Sequence, residues 1–203
     1  MENILFKVSF PAEFHGQTAV EAAIKLHPSV RYSLDEVEQI LIQTQESACR
    51  IINKEGRLYN AADRDHCLQY MVAVALIHGE LKSKHYGDQA ASDPRIDRLR
   101  EKMKVVENSE FSRDYLDPEK RSIANAIRIT FADGTHTENV VVEYPLGHKK
   151  RRIEAMPLLK QKMAANLATV LPEWRCDEII ELLDKPQDLE HMPVRHFMDL
   201  FVL

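Results

Sequence analysis

Residues 124–144, ANAIRITFADGTHTENVVVEY, decide the fold class of this chain. Apolar and polar side chains alternate on both sides of Asp133-Gly134. An Asp-Gly pair between two such runs is a strong β-hairpin signal, because both residues tolerate the tight turn. The sequence therefore predicts two antiparallel strands, over 124–131 and 137–144.

Strands and helices mix in the residues before this hairpin. Ile4 to Phe10 reads as a strand that Pro11 ends, and Val37 to Ile42 favours a second strand, although a helix can also be argued there. Helical spacing of apolar residues predicts helices over 17–27 (ending before Pro28), 46–53 (stopped by Gly56), 63–78 and 95–104.

The helix over 63–78 is the most apolar one, and a helix that is apolar nearly all round is buried on most of its surface. Asn60 is its predicted N-cap, and Asp63, three residues later, completes a capping box.

Only helices follow Pro145, over 153–170, 173–183 and 194–203, with prolines between them. The chain is therefore predicted to be α+β: a small mixed sheet-and-helix domain over 1–150, then a helical C-terminal tail over 151–203. This organisation fits the order of elements better than a βαβ sandwich.

Composition narrows the class of function. A net charge of -5 over 203 residues argues against a nucleic-acid binder. No apolar run reaches the roughly 20 residues of a membrane-spanning helix. The three scattered cysteines fit neither a disulfide framework, a zinc ribbon nor an iron–sulfur cluster, and indicate reduced thiols inside a cell. Motifs for serine hydrolases, zinc peptidases and nucleotide-binding loops do not occur.

Three clusters of polar residues carry candidate chemistry. The first is Asp63-Arg64-Asp65-His66, at the start of the apolar helix, where free backbone N–H groups and cations favour a carboxylate. His66 and Tyr70, four apart, are predicted to share a helix face. In the alternative interpretation the two aspartates are capping acids, Arg64 pairs with one of them, and Tyr70 belongs to the core.

The other two clusters lie at either end of the 1–150 region. The basic run 148–152 includes His148 and Lys149 and could attract a polyanion such as a tricarboxylate, although a solvated basic loop is the commoner case. In the segment 7–15, strand alternation puts Lys7 on one face with Ser9, and His15 follows on a loop. Isolated residues of this kind are usually plain surface residues.

Several segments resemble the MmgE/PrpD family of hydro-lyases. They are FKVSFPAEFH (6–15) with QTAVEAA (17–23), YNAADRDHCLQYM (59–71), DPEKR (117–121), VEYPLGH (142–148) and MDLFV (198–202). They span almost the whole chain, and the second segment is long and specific.

The resemblance implies a larger enzyme. In the family, a large N-terminal helical domain carries the principal acid–base residues, an α+β domain forms a lid over the active site, and the last helices dock on the helical domain. The chain is then the C-terminal part, and its missing partner is that helical domain. The resemblance further implies dehydration of 2-methylcitrate to 2-methyl-cis-aconitate in propionate breakdown, with no metal or other cofactor. It also implies a homodimer. We expect the compartment to be the bacterial cytoplasm or, for a fungal parent, the mitochondrial matrix.

The resemblance also carries over to single residues. Tyr70 matches a lid tyrosine of the family's active site, and we expect Tyr70 and His66 to be catalytic. Lys7, His15, Arg64, His148 and Lys149 are expected to bind the substrate. The family's strand lysine falls on Val8 in the expected spacing, with Lys7 beside it, and a shift of one residue turns a strand side chain to the other face. There are two alternatives. One is an orphan module that binds tricarboxylates or regulates a partner, and the other is a nonfunctional remnant of a split or truncated gene.

Overall fold

The structure is a computed structural model in which residues 7–202 are described. The chain divides into two compact units, Met1–Lys150 and Arg151–Leu203, each with its own internal packing.

A four-stranded mixed sheet organises the first unit. Its strands are β1 (Val37–Thr44), β2 (Met103–Glu107), β3 (Asn125–Phe131) and β4 (Val140–Val142), in the spatial order β2-β1-β3-β4. β1 pairs in parallel with β2 and antiparallel with β3, and β3 pairs antiparallel with β4. A mixed sheet with segregated helices makes the unit α+β, as predicted.

Seven helices accompany the sheet in the described part of this unit. They are α1 (Gln17–Val30), α2 (Glu46–Ile51), α3 (Ala61–Asp65), α4 (Leu68–His78), α5 (Asp88–Ala91), α6 (Pro94–Glu101) and α7 (Ser109–Leu116). α1 packs against β3, β4 and α4, and α4 packs against α6. Every residue of α4 before His78 is buried, so this helix forms the centre of the core with the inward-facing isoleucines of β1 and β3.

The hairpin prediction is confirmed. β3 and β4 are antiparallel, and the turn between them contains Gly134 at a φ of 83°, a conformation that glycine adopts without strain. β4 is shorter than expected, with only Val140–Val142 in the ladder.

α1 runs past its predicted end to Val30, with Pro28 inside the helix. A proline in the last turn removes one backbone hydrogen bond. The helix continues because Val30 is fully buried and the backbone N–H of Arg31 still bonds the carbonyl of His27, at 2.9 Å.

The predicted N-terminal strand is wrong where it can be checked: Lys7 to Phe10 belong to no strand, and Ile4 to Phe6 lie outside the described residues. The carbonyl of Phe10 accepts a hydrogen bond from the side-chain amide of Gln17, at 2.9 Å. That carbonyl is therefore bound to a side chain and not to a neighbouring strand.

The predicted helix over 63–78 is broken into α3 and α4. Cys67 between them has an extended backbone, with φ -121° and ψ 108°. The N–H of Leu68 donates to the carbonyl of Ile52 at 2.8 Å instead of to the preceding turn. A tertiary hydrogen bond has thus replaced one that a continuous helix requires.

The helix predicted over 95–104 is α6, and it ends at Glu101. Met103 already pairs with Ile40, and the N–H of Ile40 donates to the carbonyl of Lys102 at 2.9 Å. β2 and α7 had not been predicted.

The second unit contains α8 (Arg152–Leu167), α9 (Glu173–Leu183), α10 (Pro186–His191) and α11 (Val194–Asp199). The all-helical prediction for this region is confirmed. Among its described residues only Ala155, Cys176 and Ile179 are buried.

No helix within residues 7–202 is both long enough and apolar enough to cross a membrane.

Candidate functional site

The loop before α1 holds His15 in a defined place. Its imidazole Nδ1 lies 2.9 and 3.1 Å from the two carboxylate oxygens of Glu13, and its Nε2 lies 3.1 Å from the hydroxyl of Tyr115 on α7. Burial raises the pKa of Glu13, but hydrogen bonds and charge from His15 outweigh burial, so that its pKa is below the ordinary value. His15 is therefore a buried, fully engaged histidine and not the surface residue of the alternative interpretation.

Lys7, at the start of the same segment, is exposed. Because no strand forms over Lys7 to Phe10, the alternation argument that put Lys7 and Ser9 on one sheet face does not hold.

α3 begins as predicted. The side chain of Asn60 accepts the N–H of Asp63 at 2.9 Å, so Asn60 is its N-cap. The reverse bond of a capping box is shifted by one residue, since the carboxylate of Asp63 accepts from the N–H of Tyr59, at 3.0 Å.

His66 caps the C-terminal end of α3 and does not belong to α4. The prediction that His66 and Tyr70 share one helix face is therefore wrong, because the chain turns at Cys67 between them. His66 is instead paired with its neighbour: Nδ1 lies 2.5 Å from the carboxylate of Asp65. Both side chains are partly open to solvent.

Arg64, on α3, is buried, and it pairs with neither of the aspartates beside it in the sequence. One guanidinium nitrogen donates to the carbonyl of Tyr86 at 2.6 Å, and the other donates to the carboxylate of Asp88 at 2.7 Å. The Asp88 side chain is 91% exposed, so this ion pair joins a buried cation to a carboxylate in solvent.

Tyr70, on α4, lies in the core. Its hydroxyl donates to the carbonyl of His85 at 2.6 Å, and its ring stacks on that of Tyr86 with centroids 6.1 Å apart. Burial is the main cause that raises its pKa to about 12. The phenol is therefore protonated at neutral pH.

Arg64 and Tyr70 line the same cleft, of about 700 Å³. Its wall also contains three other cations (Lys54, Arg57 and Arg100) and three acids (Glu55, Asp97 and Glu101). Arg100 donates to Asp97 and to the carbonyl of Gly56, whereas its buried Nε has no partner among the described residues. The cleft thus offers cations to a carboxylate, but its charges are nearly balanced.

α3 joins this cleft to the His15 loop. The N–H of Glu13 donates to the carbonyl of Asp65, at 3.3 Å. Two carboxylate–imidazole pairs, Glu13 with His15 and Asp65 with His66, are consequently one backbone hydrogen bond apart. We name these four residues together with Tyr115 the histidine edge. Imidazoles paired with carboxylates can accept and donate protons near neutral pH.

The basic run after β4 is divided. His148 is buried and stacks on Tyr144 with centroids 4.6 Å apart, while the ammonium of Lys150 donates to the hydroxyl of Tyr144 at 3.0 Å. Lys149 begins a short 3₁₀ turn and is half-buried. Arg151 and Arg152 belong to the second unit.

Within residues 7–202 no group of three or more His, Cys, Asp or Glu side chains is arranged to hold a metal ion.

Sequence reasoning missed the partners of the predicted residues. Tyr115 was missed because α7, the helix that carries it, was not predicted. Asn108 before Ser109 is nevertheless a good N-cap signal. In the structure its side chain accepts hydrogen bonds from the N–H groups of Glu110 and Phe111. Tyr86 and Arg100 reach the site by tertiary packing alone, and no local pattern marks them.

Known proteins resemble the whole chain. It is 51% identical to the 2-methylcitrate dehydratase of Escherichia coli (strain K12) and covers 43% of that protein. It is 50% identical to the mitochondrial 2-methylcitrate dehydratase of Yarrowia lipolytica, of which it covers 39%. A 2-methylcitrate dehydratase of Cupriavidus necator is also 50% identical, with 43% of its length covered. The chain therefore spans about two fifths of the length of these curated relatives.

The model of the MmgE/PrpD C-terminal domain matches residues 10–185, which cover most of the first unit and part of the second. The matched region takes in the His15 loop, α3, α4 and α7, and hence all residues of the histidine edge. On this match and on the similarity along its whole length, the chain belongs to the MmgE/PrpD family and corresponds to the C-terminal part of its members.

Proposed function

We propose that this chain forms one wall of the active site of a hydro-lyase that dehydrates 2-methylcitrate to 2-methyl-cis-aconitate in propionate breakdown. The observation that carries the proposal is that four of the predicted site residues lie close to α3. Arg64 and Tyr70 line the cleft, and His15 and His66 belong to the histidine edge, in which the N–H of Glu13 bonds the carbonyl of Asp65 on α3. The names of the relatives supply the substrate.

The reaction requires a base for a carbon-bound proton, an acid for the departing hydroxyl group, and cations for three carboxylates. Tyr70, protonated at neutral pH, can donate a hydrogen bond or a proton once its bond to the His85 carbonyl is exchanged. His66, paired with Asp65 and open to solvent, can carry a proton to or from the substrate.

Arg64 is the proposed anchor for a substrate carboxylate. A carboxylate of the substrate can replace the exposed carboxylate of Asp88 on the guanidinium, because both bind arginine in the same geometry. Lys7, His15, His148 and Lys149 are proposed as further contacts with the substrate.

The chain acts, in this proposal, with the N-terminal helical part of a family member, which supplies the principal acid–base residues. Groups that act as a unit lose nearly all of their effect when one part is removed. We therefore expect the 203-residue chain alone to show no measurable turnover of 2-methylcitrate. Rapid turnover by the chain alone, in an absorbance assay for the unsaturated product, would contradict this division of roles.

A chimera tests the proposal directly. The corresponding C-terminal part of the Escherichia coli relative is replaced by this chain, and dehydration of 2-methylcitrate is followed by the absorbance of the product. We expect activity within about tenfold of the unmodified relative, since a tenfold change corresponds to about 1.4 kcal/mol of barrier. A folded chimera without activity would refute the proposal.

Two variants localise the function within the chimera. Arg64→Lys keeps the charge but loses the planar guanidinium that donates to the Tyr86 carbonyl and to a carboxylate at the same time, and should raise KM about tenfold or more. Arg31→Lys is the matched control: Arg31 follows α1, is exposed and lies over the ring of Tyr32. We expect the control to leave KM unchanged.

The cations of the cleft favour a second candidate, binding of a tricarboxylate without catalysis. Calorimetric titration of the chain alone with citrate distinguishes the two. Binding that Arg64→Lys weakens, together with an inactive chimera, would support the module without catalysis.

We also propose that the complete protein is a homodimer without metal or organic cofactor, in the bacterial cytoplasm or in a mitochondrial matrix. The name of the Yarrowia lipolytica relative places that protein in mitochondria. Sedimentation of the active chimera would measure its oligomeric state.

A further inference from the structure

Two side chains of the loop before α1 and one from α7 form one hydrogen-bonded series, Glu13–His15–Tyr115. Both carboxylate oxygens of Glu13 lie within 3.1 Å of His15 Nδ1, and the Tyr115 hydroxyl lies 3.1 Å from Nε2. The side chain of His15 is 11% exposed, so water has little access to either nitrogen. Tyr115 contributed nothing to the predicted site.

The partners of the ring determine which nitrogen carries the proton. A carboxylate only accepts hydrogen bonds, so Nδ1, which faces Glu13, must be the protonated nitrogen. In the neutral ring Nε2 is then the acceptor, and it receives the hydroxyl proton of Tyr115. The series therefore specifies one tautomer, with a proton on Nδ1 and the lone pair of Nε2 facing the Tyr115 hydroxyl.

The loop that carries His15 is itself held from several directions. The N–H of Glu13 donates to the carbonyl of Asp65 at 3.3 Å, and the side-chain amide of Asn125 donates to the carbonyl of His15 at 2.9 Å. Gln17 donates to the carbonyls of Phe10 and Ala12, at 2.9 Å in each case. These bonds fix the backbone, and the Glu13 and Tyr115 side chains fix the ring.

A purely structural role accounts for only part of this arrangement. Glu13 is the N-cap of the short 3₁₀ helix Phe14–Gly16, and for that role its bond to the backbone N–H of His15, at 2.8 Å, is sufficient. Capping requires neither the contact with Nδ1 nor a phenol on Nε2. Those two contacts act on the ring alone.

We infer that Glu13 and Tyr115 are positioning residues, which hold His15 in the Nδ1–H tautomer so that Nε2 can accept a hydrogen bond from the hydroxyl group of the substrate. The inference rests on the proposed function in naming that substrate. On binding, Nε2 exchanges the Tyr115 hydroxyl for the hydroxyl of the substrate, and the Tyr115 phenol stays beside it as a neighbouring donor. A ring that is already oriented loses less entropy on binding than a free one.

The tautomer is measurable on the 203-residue chain without any activity. Long-range ¹H–¹⁵N correlation spectra at mildly alkaline pH distinguish protonated from unprotonated ring nitrogens, and His15→Gln assigns the signals of His15 among nine histidines. We expect a protonated Nδ1 and an unprotonated Nε2. A predominant Nε2–H tautomer in the unsubstituted chain would overturn the inference.

Two substitutions separate the two partners. Glu13→Gln should give a mixture of tautomers, because a carboxamide can donate to Nδ1 as well as accept from it. Tyr115→Phe should keep the Nδ1–H tautomer and shift only the Nε2 resonance. Tyr32→Phe, at a side chain that is 83% exposed, is the control and should change neither signal. A Glu13→Gln spectrum identical to that of the unsubstituted chain would contradict the role of Glu13.

Kinetics of the chimera give the second measurement. Glu13→Gln and Tyr115→Phe should each raise KM for 2-methylcitrate about tenfold and change kcat less, since the lost interaction orients bound substrate. If the unsubstituted chimera is inactive, the proposed function fails, and the spectra still decide the tautomer. If the chimera is active and both variants keep its KM and kcat, the positioning role is overturned.

Discussion

Gly79 ends the central helix in a conformation that other residues adopt only with strain. Its φ is 67°, and a Cβ built on it would lie 2.7 Å from the ring of His27, whose Nδ1 is bonded to the carbonyl of Leu76 at 2.8 Å. The ring of His27 is thus held against the end of α4, and the glycine provides the space it needs.

We expect Gly79→Ala to lower the free energy of unfolding by about 2 to 4 kcal/mol, from the left-handed conformation plus displacement of the His27 ring. Gly134→Ala is the matched control, because Gly134 has a φ of 83° but nothing within 4 Å of its added Cβ. It should cost only about 1 to 2 kcal/mol. Urea unfolding measures both; equal losses would show that the His27 contact costs nothing.

Tyr70 is both a core residue and a proposed catalytic one, and Tyr70→Phe separates the two roles. Loss of the bond to the His85 carbonyl should cost about 1 to 3 kcal/mol of stability. In the chimera, loss of one positioned hydroxyl should reduce turnover on the order of 10²-fold. The measurements are urea unfolding and kcat; Tyr32→Phe is the control. Unchanged kinetics would leave Tyr70 with a structural role alone.

At the scale of elements, the end of α4 and the 3₁₀ turn Ser83–Tyr86 meet through two histidines. The rings of His78 and His85 stack with centroids 5.0 Å apart and an angle of 8° between their planes. This turn also supplies the carbonyls that bind Tyr70 and Arg64. The stacked His85 therefore belongs to the same turn that holds two of the proposed site residues, Tyr70 and Arg64.

The stack should make the first unit sensitive to acid. Burial is the main cause that lowers the pKa of both histidines below 6.5. The charge of Arg95 lowers the pKa of His78 further, and the charge of His78 lowers that of His85 further. The carboxylate of Glu80 raises both pKa values and so opposes these effects. Asp93 also raises the pKa of His78. Lys84 lowers the pKa of both histidines, and Lys82 lowers that of His85. Well above pH 6.5 the rings are neutral in both the folded and the unfolded state. As the pH falls through 6.5, the unfolded chain binds protons more readily than the folded unit. The free energy of unfolding therefore decreases as the pH decreases, until the folded rings also titrate.

Urea unfolding at about pH 7.5 and about pH 5.5 measures this loss. His78→Gln removes one titrating ring and the cation that opposes charging of the other, so the loss between the two pH values should be smaller. His191→Gln, an exposed position in the second unit, is the control. A loss that His78→Gln does not alter would assign the acid sensitivity to other groups.

Elements with strong local signals were predictable, and those defined by tertiary contacts were not. The Asp133-Gly134 pair predicted the turn between β3 and β4, and Asn60 caps α3 as expected. Cys67 is not a helix-breaking residue type. The helix is interrupted there because the N–H of Leu68 bonds the carbonyl of Ile52. The same holds for β2, whose pairing with β1 outweighs the helical pattern of the preceding residues.

At the scale of the whole molecule, the sequence suggested single residues of the candidate site but not how they assemble. The sequence pointed to His15, Arg64, His66 and Tyr70, yet not to the hydrogen bond between Glu13 and Asp65 that brings two of its clusters together. Sequence separation explains the failure: Tyr115 is 100 residues from His15, and no local pattern carries such a contact.

The second unit buries few side chains among the residues that the structure describes. Three buried residues contrast with a row of exposed large ones, among them Ile153 at 91%, Val194 at 77% and Trp174 at 61%. α8 and the segment after it also line an apolar groove of about 620 Å³ with Leu159, Met163 and Leu167. A unit of this size requires apolar burial that its own helices do not provide.

We therefore expect the 203-residue chain, studied alone, to self-associate through residues 153–202, or to fray there while the first unit stays protected. Light scattering over a range of concentrations measures the first outcome, and hydrogen exchange measures the second. Ile153→Glu with Trp174→Glu should reduce the association, because a buried unpaired charge opposes an apolar contact. Tyr32→Glu, on an exposed aromatic residue of the first unit, is the control and should leave the association unchanged. A monomer at all concentrations with uniform protection through residue 202 would show instead that the helices of the second unit stabilise one another, and the docking surface expected from the family would then lie elsewhere.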